Sequence, residues 1–593
     1  MRFCLTVAFS LIAGAALAQQ TADAVQPEGA TEGAAFATSE RVAAAQASKD
    51  AGTPVSAQTF MVAAANPLAV QAGVDVLAAG GTAADALVAV QTVLGLVEPQ
   101  SSGLGGGAFL VWYDAASQSL TTLDGRETAP LDATPRLFQK EDGEPMGFFD
   151  AVVGGRSVGT PGTPALLDEA HKRWGRQPWG GLFDAAIDLA DNGFAVSPRL
   201  AGLVERDTER LASYPITADY FMPGGTPLAA GTTLKNPAYA DTLRAIAADG
   251  SEVFYTGKIA QDIQATVQAL SFNPGVLSQL DLAVYHVKER PAVCATYRAH
   301  EVCGMGPPSS GALTVGQILG MLDSYDLGAL GADNPESWRL IGDASRLAFA
   351  DRGRYMADSD YVPMPTAGLV DPAYLADRAQ LLDGDAALEE VGPGTPAFDH
   401  SLNWADDQSL ELPSTSHISI VDSYGNVASM TTTIENAFGS RLMVHGFLLN
   451  NELTDFSFRT HSDGVPIANA LAPGKRPRSS MSPTIVMKDG APVLAIGSPG
   501  GSRIIGYTAK AIIAHLDWGM DVQQAVSLPH AVNRFGSFDV EEGTTAADLA
   551  PALEGMGYEV NVRGLNSGLH AIAIGDDLQG GADPRREGIA LGD

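Results

Sequence analysis

The sequence has little that would bind a metal ion or a nucleic acid. Its 593 residues include only three cysteines and ten histidines, and neither a Cys-x-x-Cys pair nor a His-Glu-x-x-His motif occurs. Lysine and arginine number 36 against 69 acidic residues, a formal net charge of -33. Such a surface repels nucleic acids and anionic membranes. We therefore predict no metal site, and neither a nucleic acid nor a membrane as partner.

Long apolar runs are also absent after the N-terminus, where the one such run is too short to span a membrane. Arg2, the apolar run Leu5–Leu17 and the small-x-small sequence ending at Ala18 predict a secretory signal peptide over residues 1–18. Residues 19–57 are poor in aromatics and are predicted to form a flexible lead-in. We expect a soluble mature protein that is periplasmic or secreted.

Two cysteines, Cys294 and Cys303, remain once the signal peptide is removed. They lie in two β-like runs, and an exported protein permits a disulfide between them. Two free buried thiols fit the same pattern. Neither cysteine is in a context that indicates catalysis.

Two short motifs match known signatures in the wrong context. Residues 103–108 fit a dinucleotide-binding fingerprint loosely, but a predicted helix precedes them and a strand follows. Residues 155–159 fit a hydrolase nucleophile elbow, which requires a helix directly after the serine, and Pro161 and Pro164 intervene. We interpret the first as a close-packed glycine turn and the second as non-catalytic.

What is present is a predicted β-hairpin with hydroxyl residues at its open end. Apolar alternation after Thr415 predicts a strand, residues 424–426 a turn, and residues 427–434 a returning strand with three threonines. An ordinary structural hairpin is one interpretation. The other is a latent N-terminal nucleophile, because cleavage before Thr415 would give that residue an α-amino group with a pKa of about 7.7–8.0. One residue would then supply both nucleophile and general base.

Two further features suit acyl transfer. Gly500 and Gly501 lie at a predicted strand-to-helix turn, where backbone N–H groups can point at one spot and form an oxyanion hole. A plain tight turn is the alternative. Arg126 ends a predicted strand, and arginine is well shaped for bidentate carboxylate binding, although a surface charge is the commoner role.

Several ordered segments together resemble the γ-glutamyltransferases (γ-glutamyl transpeptidases), from about residue 60 to the C-terminus. They are residues 98–99, 102–107, 126–130, 159–162, 415–422, 425–426, 449–457, 475–477, 479–484, 497–503 and 583–585. The resemblance implies an α+β fold of the N-terminal-nucleophile hydrolase type, a four-layer αββα sandwich, without a cofactor. It also implies autocleavage between Ser414 and Thr415. The products would be a large subunit (58–414) and a small catalytic subunit (415–593), associated as a heterodimer.

The resemblance also implies site roles. They are Thr415 as nucleophile, Thr433 as its supporting hydroxyl, Gly500 and Gly501 as oxyanion hole, Arg126, Ser479 and Ser480 as ligands of a substrate α-carboxylate, and Asp455 as partner of its α-ammonium group. Two positions depart from the family pattern. Glu435 stands where many members have Asn, and Glu452 where Gln is frequent. Glu435 is expected to join Asp455 on the ammonium group, and Glu452 to line the same site.

The function implied is transfer of a γ-glutamyl group, through an ester on Thr415, to an amino acid, a peptide or water. Donors would be glutathione-like. A glutaryl-type β-lactam acylase of the same superfamily is the main alternative, although Asp455 and Glu435 would then face an uncharged chain unpaired. A non-catalytic exported binding protein is a further alternative.

Overall fold

The computed structural model describes residues 39–400 and 403–593, so the predicted signal peptide lies outside the described residues. The strands, in chain order, are β1 (Val55–Ala57), β2 (Met61–Ala64), β3 (Gly107–Asp114), β4 (Ser119–Gly125), β5 (Phe194–Ala195), β6 (Thr233–Leu234), β7 (Lys288–Arg290), β8 (Val293–Tyr297), β9 (His300–Gly304), β10 (Ser416–Val421), β11 (Val427–Thr433), β12 (Met443–Val444), β13 (Phe447–Leu448), β14 (His461–Ser462), β15 (Val465–Pro466), β16 (Thr484–Lys488), β17 (Ala491–Gly497), β18 (Ala531–Asn533), β19 (Ser537–Glu541), β20 (Glu559–Arg563), β21 (His570–Ile574), β22 (Leu578–Ala582) and β23 (Ile589–Gly592).

The α-helices of the described residues lie mostly in the first two thirds of the chain. They are Glu40–Asp50, Pro67–Ala78, Ala83–Val97, Phe148–Val152, Thr163–Trp174, Asp184–Asn192, Pro198–Arg206, Thr208–Leu211, Pro215–Phe221, Pro237–Asp249, Glu252–Tyr255, Gly257–Gln268, Gln279–Ala283, Gly311–Leu322, Leu327–Leu330, Pro335–Tyr355, Thr366–Leu369, Pro372–Ala379, Ile504–Leu516, Val522–Ser527 and Ala550–Gly555.

Two seven-stranded antiparallel sheets form the centre. Sheet I has the strand order β23-β2-β10-β11-β3-β4-β7, and sheet II has the order β1-β22-β21-β17-β16-β9-β8. The predicted hairpin is β10 and β11, paired from Ser416 with Thr432 to Val421 with Val427. It lies in the middle of sheet I, between β2 and β3. The nucleophile predicted at its open end is therefore attached to the most enclosed part of the sheet.

The sheets pack face to face, and helices cover both outer faces. Apolar side chains such as Val111, Ile485 and Ile572 fill the space between the sheets. Helices Pro67–Ala78 and Ala83–Val97 share a buried cluster with the outer face of sheet I. Helices Gly311–Leu322, Pro335–Tyr355 and Ile504–Leu516 do the same on sheet II. This arrangement confirms the predicted four-layer αββα sandwich.

The helix ends that position the hairpin are specified locally. Asn66 accepts a hydrogen bond from the Leu68 N–H, with Pro67 at the first helical position. Thr82 and Asp85 form a reciprocal capping box at the start of the helix that ends at Val97. That helix is buried along its whole length, because it lies between sheet I and further helices.

The prediction of a flexible lead-in is wrong for residues 40–57. An 11-residue helix, Glu40–Asp50, buries Val42, and β1 pairs with β22. Lys49 Nζ donates to the carbonyls of Arg586 and Gly588 at 3.0 and 2.8 Å. These partners lie more than 500 residues away in the chain, so local composition could not reveal them.

The remaining sequence interpretations have clear outcomes. Cys294 and Cys303 face each other on β8 and β9 and are disulfide-bonded. A Cβ at Gly105 would lie 2.0 Å from the Leu448 carbonyl oxygen, which confirms the close-packed glycine turn. Ser157 is buried, and its hydroxyl donates to the Val152 carbonyl at 2.6 Å. Across the described chain, every helix is too short or too polar to cross a membrane.

Candidate active site

Thr415 immediately precedes β10, directly across the hairpin from the end of β11. Its hydroxyl donates to Thr433 Oγ1 at 3.1 Å, and the Glu435 N–H donates to the same oxygen at 2.8 Å. Both threonines are buried, with 5% and 2% exposure. The strand register therefore holds the Thr415 hydroxyl in one orientation, as expected of a residue prepared for attack.

The backbone at Thr415 is strained. Its φ is +89°, in a region that a β-branched residue rarely adopts. Arg586 Nη1 donates to the Thr415 carbonyl at 3.0 Å and helps to hold this conformation. Such strain costs about 1–3 kcal/mol and is concentrated at functional sites.

Gly500 contacts the peptide bond that precedes Thr415. The Gly500 N–H donates to the Ser414 carbonyl at 3.1 Å. The φ angles of Gly500 and Gly501 are +133° and +57°, and a Cβ at Gly500 would lie 2.8 Å from Tyr507. Glycine is therefore required at Gly500, and its N–H is aimed at the carbonyl that Thr415 would attack.

One narrow cleft collects almost all the predicted site residues. Its lining includes Arg126, Thr415, Thr433, Glu435, Glu452, Asp455, Ser479, Ser480 and Gly501. Four further residues line it that the sequence did not single out, Glu411, Leu412, Met481 and Ile504. Gly500 and Ser414 do not line the cleft, but they are hydrogen-bonded to each other beside Thr415.

Carboxyl groups dominate one part of the cleft, which we call the acidic end. It is formed by Glu452 and Asp455, which pair with Arg126, and by Glu435, whose charge interacts with both of these carboxyl groups. Arg126 Nη2 lies 2.5 Å from Asp455 Oδ2, and Nη1 donates to Glu452. Asp455 Oδ1 is buried and has no hydrogen-bond partner within the described chain. Arg126 was predicted to bind the substrate α-carboxylate and Asp455 its α-ammonium group. In this structure the two residues form an ion pair with each other.

Burial shifts the titration of this acidic end. It raises the pKa of Glu435 well above the usual range, and the neighbouring Asp455 and Glu452 raise it further. Burial likewise raises the pKa of Asp455 and Glu452, more than Arg126 lowers it. Adjacent Glu127 has a pKa raised to about 8, again chiefly by burial. An incoming cation would thus meet carboxyl groups that retain protons more strongly than in water.

Glu411 and Ser480, which line the cleft, contact two arginines, Arg352 and Arg478, and we call this group the basic end. Ser480 Oγ accepts a hydrogen bond from Arg352 Nη2 at 2.7 Å and donates to Glu411. Neighbouring Ser479 turns its hydroxyl inward, where it accepts the Met481 N–H at 3.1 Å. The predicted carboxylate-binding serines thus differ, since only the Ser480 hydroxyl meets a charged group.

Sequence reasoning missed Arg352 and Glu411. One signal was available for Arg352, because it follows Ala344 and Ala348 at helical spacing on a buried face. A charged residue in an apolar stripe indicates a buried partner. Glu411 had no such signal, since it precedes the hairpin in a segment without periodicity.

The stacked antiparallel sheets and a threonine at the cleft define the N-terminal-nucleophile hydrolase class. The chain belongs to the family described as Gamma-glutamyltranspeptidase, whose sequence profile matches residues 69–593. It is 37% identical over 546 residues to the glutathione hydrolase proenzyme of Bacillus subtilis (strain 168), covering 90% of this chain and 91% of that protein.

Acylases are also similar to this chain. It is 34% identical to the Acylase ACY 1 proenzyme of Pseudomonas sp. (strain SE83), covering 91% of this chain and 94% of that protein. A crystal structure of cephalosporin acylase from Bacillus halodurans superposes with a TM-score of 0.80 at 27% identity, covering 91% and 97% of the two chains. The crystal structure of Helicobacter pylori gamma-glutamyltranspeptidase superposes with a TM-score of 0.55 at 34% identity. The match covers 57% of this chain and 96% of that chain.

Proposed function

We propose that this chain is an exported γ-glutamyltransferase and glutathione hydrolase that matures by cleaving itself between Ser414 and Thr415. The observation that carries the proposal is that Thr415 and Gly500 both adjoin the peptide bond between Ser414 and Thr415. The nucleophile lies on its carboxyl side, and the Gly500 N–H binds its carbonyl oxygen. The relatives named as proenzymes support the same maturation.

Cleavage follows from this geometry. The Thr415 oxygen attacks the Ser414 carbonyl carbon, and the Gly500 N–H stabilises the oxyanion that forms. Collapse breaks the peptide C–N bond, the hydroxyl proton of Thr415 passes to the departing nitrogen, and an ester remains between Ser414 and the Thr415 oxygen. Water then hydrolyses the ester, which releases the Ser414 carboxylate and leaves Thr415 with a free hydroxyl and a free α-amino group.

The new amino group would serve as general base in turnover. It takes the hydroxyl proton of Thr415 while the oxygen attacks the γ-carbonyl of the donor, with Thr433 orienting the hydroxyl. The amine of the donor leaves with a proton, and a γ-glutamyl ester of Thr415 remains. An amino acid, a peptide or water then accepts the γ-glutamyl group.

The charges of the cleft suit the zwitterionic end of a γ-glutamyl donor. The buried, unpartnered Asp455 Oδ1 and the neighbouring Glu435 offer acceptors for the ammonium group. Ser480 and the nearby arginines offer donors for the carboxylate. A glutaryl group, the alternative suggested by the acylase relatives, lacks the ammonium group and would leave these acceptors unpaired.

The large subunit (58–414) and small subunit (415–593) of this proposal would remain associated as a heterodimer. Strands β10 and β11 of the small part lie between β2 and β3 of the large part in sheet I. Separation would break ladder hydrogen bonds on both sides of the hairpin. Export would follow from the signal peptide expected over residues 1–18.

Purified mature protein should be incubated with γ-glutamyl-p-nitroanilide and, in parallel, glutaryl-p-nitroanilide. The acyl groups differ only in the α-amino group, so strong preference for the γ-glutamyl compound is the expected result. Preference for the glutaryl compound would assign the protein to the acylases. Thr415→Ala is the matched control, which should stay a single chain and release no p-nitroaniline.

A further inference from the structure

Glu127 is a fully buried glutamate beside the acidic end, and the proposed reaction gives it no role. It comes directly after Arg126, just past the end of β4, and is 0% exposed. A Cβ at Gly107 would lie 2.5 Å from Glu127 Oε2, and a Cβ at Gly159 would lie 2.9 Å from the Glu127 Cβ. Gly107 therefore packs against the carboxyl group and leaves no room for a water molecule on that side.

Three carboxyl oxygens of Glu127 and Glu452 lack a hydrogen-bond donor. They are both Oε atoms of Glu127 and Oε2 of Glu452, and none has a partner among the residues that the structure describes. Glu452 is also buried, with 1% exposure. A carboxylate oxygen that loses its water and gains no donor is costly. Three such oxygens in one place point to a bound proton.

The nearby guanidinium group is committed to other acceptors. Nε and Nη2 of Arg126 donate to backbone carbonyls at 3.2 and 2.9 Å, and Nη2 also pairs with Asp455. Nη1 donates to Glu452 Oε1 and lies 3.9 Å from Glu127 Oε2, which is too far for a hydrogen bond. Arg126 therefore supplies a donor to neither Glu127 nor Glu452 Oε2.

Two buried tyrosines also lie close enough for their charges to interact with that of Glu127. The Tyr285 hydroxyl donates to the Arg126 carbonyl at 2.9 Å, and the Tyr255 hydroxyl donates to the Pro161 carbonyl at 3.0 Å. Both phenol protons are thus directed at backbone oxygens. The donor that Glu127 needs must come from another group.

Glu127 and Glu452 can supply that donor to each other. Both approach Nη1 of Arg126, and their carboxyl groups are in hydrogen-bonding contact. Two ionised carboxylates in contact repel each other, whereas one proton between them forms a charge-assisted hydrogen bond. Asp455 and Glu435 interact with Glu452 as further negative charges, which favours retention of the proton.

We propose that Glu127 and Glu452 share one proton near neutral pH, and that this proton holds Glu452 in place on Arg126. Glu127 is thereby a positioning residue, which acts through Glu452. The pair carries one negative charge instead of two, and Arg126 balances it. The charge of Asp455 is then left for the ammonium group of a donor, a consequence that rests on the proposed function.

Infrared difference spectroscopy tests the shared proton, because a protonated carboxyl group has a C=O stretching band that a carboxylate lacks. Near neutral pH, Glu127→Gln and Glu452→Gln should each lose the same band from the wild-type spectrum, since a glutamine N–H takes the place of the proton. Glu289→Gln removes an exposed glutamate paired with Arg173 and, as the control, should leave the band in place. A band that survives in either pair variant would overturn the inference.

Activity gives a second readout that a merely structural role would not produce. Glu127→Ala should lower kcat/KM for γ-glutamyl-p-nitroanilide about tenfold, because the hydrogen bond to Glu452 is lost. Glu127→Gln should recover most of this loss, because its amide N–H can donate to Glu452. Equal losses in the two variants would contradict the proposal.

The wild type alone decides if the variants do not fold. Its band should lose intensity as pH rises through about 8, because burial raises the pKa of Glu127 to about 8. Constant intensity across this range would refute the shared proton. The infrared measurement needs no donor, so a wild type that shows the band but does not cleave γ-glutamyl-p-nitroanilide would refute only the proposed function.

Discussion

The acidic and basic ends of the cleft carry opposite excesses of charge and balance them differently. At the acidic end, Glu435, Glu452 and Asp455 outnumber Arg126, and burial raises the pKa values of these carboxyl groups, which favours their protonated forms. At the basic end, Arg352 and Arg478 are balanced by Glu411 and Asp407. Both carboxylates belong to the chain segment that precedes the proposed cleavage point.

The two ends therefore balance charge by different means. Raised pKa values favour protonated carboxyl groups at the acidic end, whereas Glu411 and Asp407, which precede the proposed cleavage point, pair with the arginines of the basic end. The comparison therefore links maturation to the basic end and pH to the acidic end.

The largest expected effect comes from removing a charge at the acidic end. Asp455→Asn should lower kcat/KM for γ-glutamyl-p-nitroanilide by about 100-fold, because the ammonium group loses a buried charged acceptor. The rate with glutaryl-p-nitroanilide should not fall. Asp241→Asn, at an exposed position, is the control. Equal losses with both compounds would show that Asp455 serves only to hold Arg126.

At the basic end, Glu411→Gln should slow self-cleavage about tenfold. Loss of charge weakens the hydrogen bonds that hold the segment on Arg352 and Ser480, and with it the placement of the scissile bond. The conversion of freshly refolded precursor into two subunits on a denaturing gel measures this rate.

Asp406→Asn is the control for Glu411→Gln, because its ion pair with Arg354 is solvent-exposed and contributes little. The kcat of completely cleaved Glu411→Gln should match that of the wild type, since the expected effect is on the placement of the scissile bond, which is then already broken. An unchanged cleavage rate would mean that the backbone alone positions the bond.

The smallest effect is the pH dependence of donor binding. Because the pKa values of Asp455 and Glu435 are raised, these groups bind an ammonium group better as pH increases and they deprotonate. We expect KM for γ-glutamyl-p-nitroanilide to fall about threefold as pH rises above the usual carboxyl range of about 4. Glu435→Gln should flatten this profile, and a wild-type KM that rises with pH would contradict the assignment.

The same raised pKa values also predict how the free energy of unfolding depends on pH. Native carboxyl groups with raised pKa values bind more protons than the unfolded chain above the unfolded pKa of about 4. The free energy of unfolding of the ligand-free protein should therefore decrease as pH rises above about 4. Chemical denaturation at several pH values measures this contribution.

Part of the site could be predicted because its signals are local, and the remaining site residues were implied by the family resemblance. The alternation after Thr415, the turn before Val427 and the glycine pair at Gly500 are features of short segments, and the structure forms the hairpin between Ser416 and Thr433. The predicted lining residues also meet in one cleft. Their individual roles remain predictions that the variants above would test.

The errors and omissions concern contacts between distant segments. The Glu40–Asp50 helix was missed because Lys49 is held by carbonyls near the C-terminus. Arg352 and Glu411 are 59 residues apart and meet only when the Pro335–Tyr355 helix packs behind the cleft. The strand and turn preferences of short segments carry no information about contacts between residues that are far apart in the chain.

The sequence by itself determined the hairpin and the threonine at its open end, because side-chain alternation and turn residues act over a few residues, and the family resemblance implied the sandwich. Tertiary structure decided which charges became partners. Arg126 is paired with Asp455, and Arg352 with Glu411. Burial makes each unpaired charge costly, so the packing of distant elements, rather than any local pattern, selects the partner.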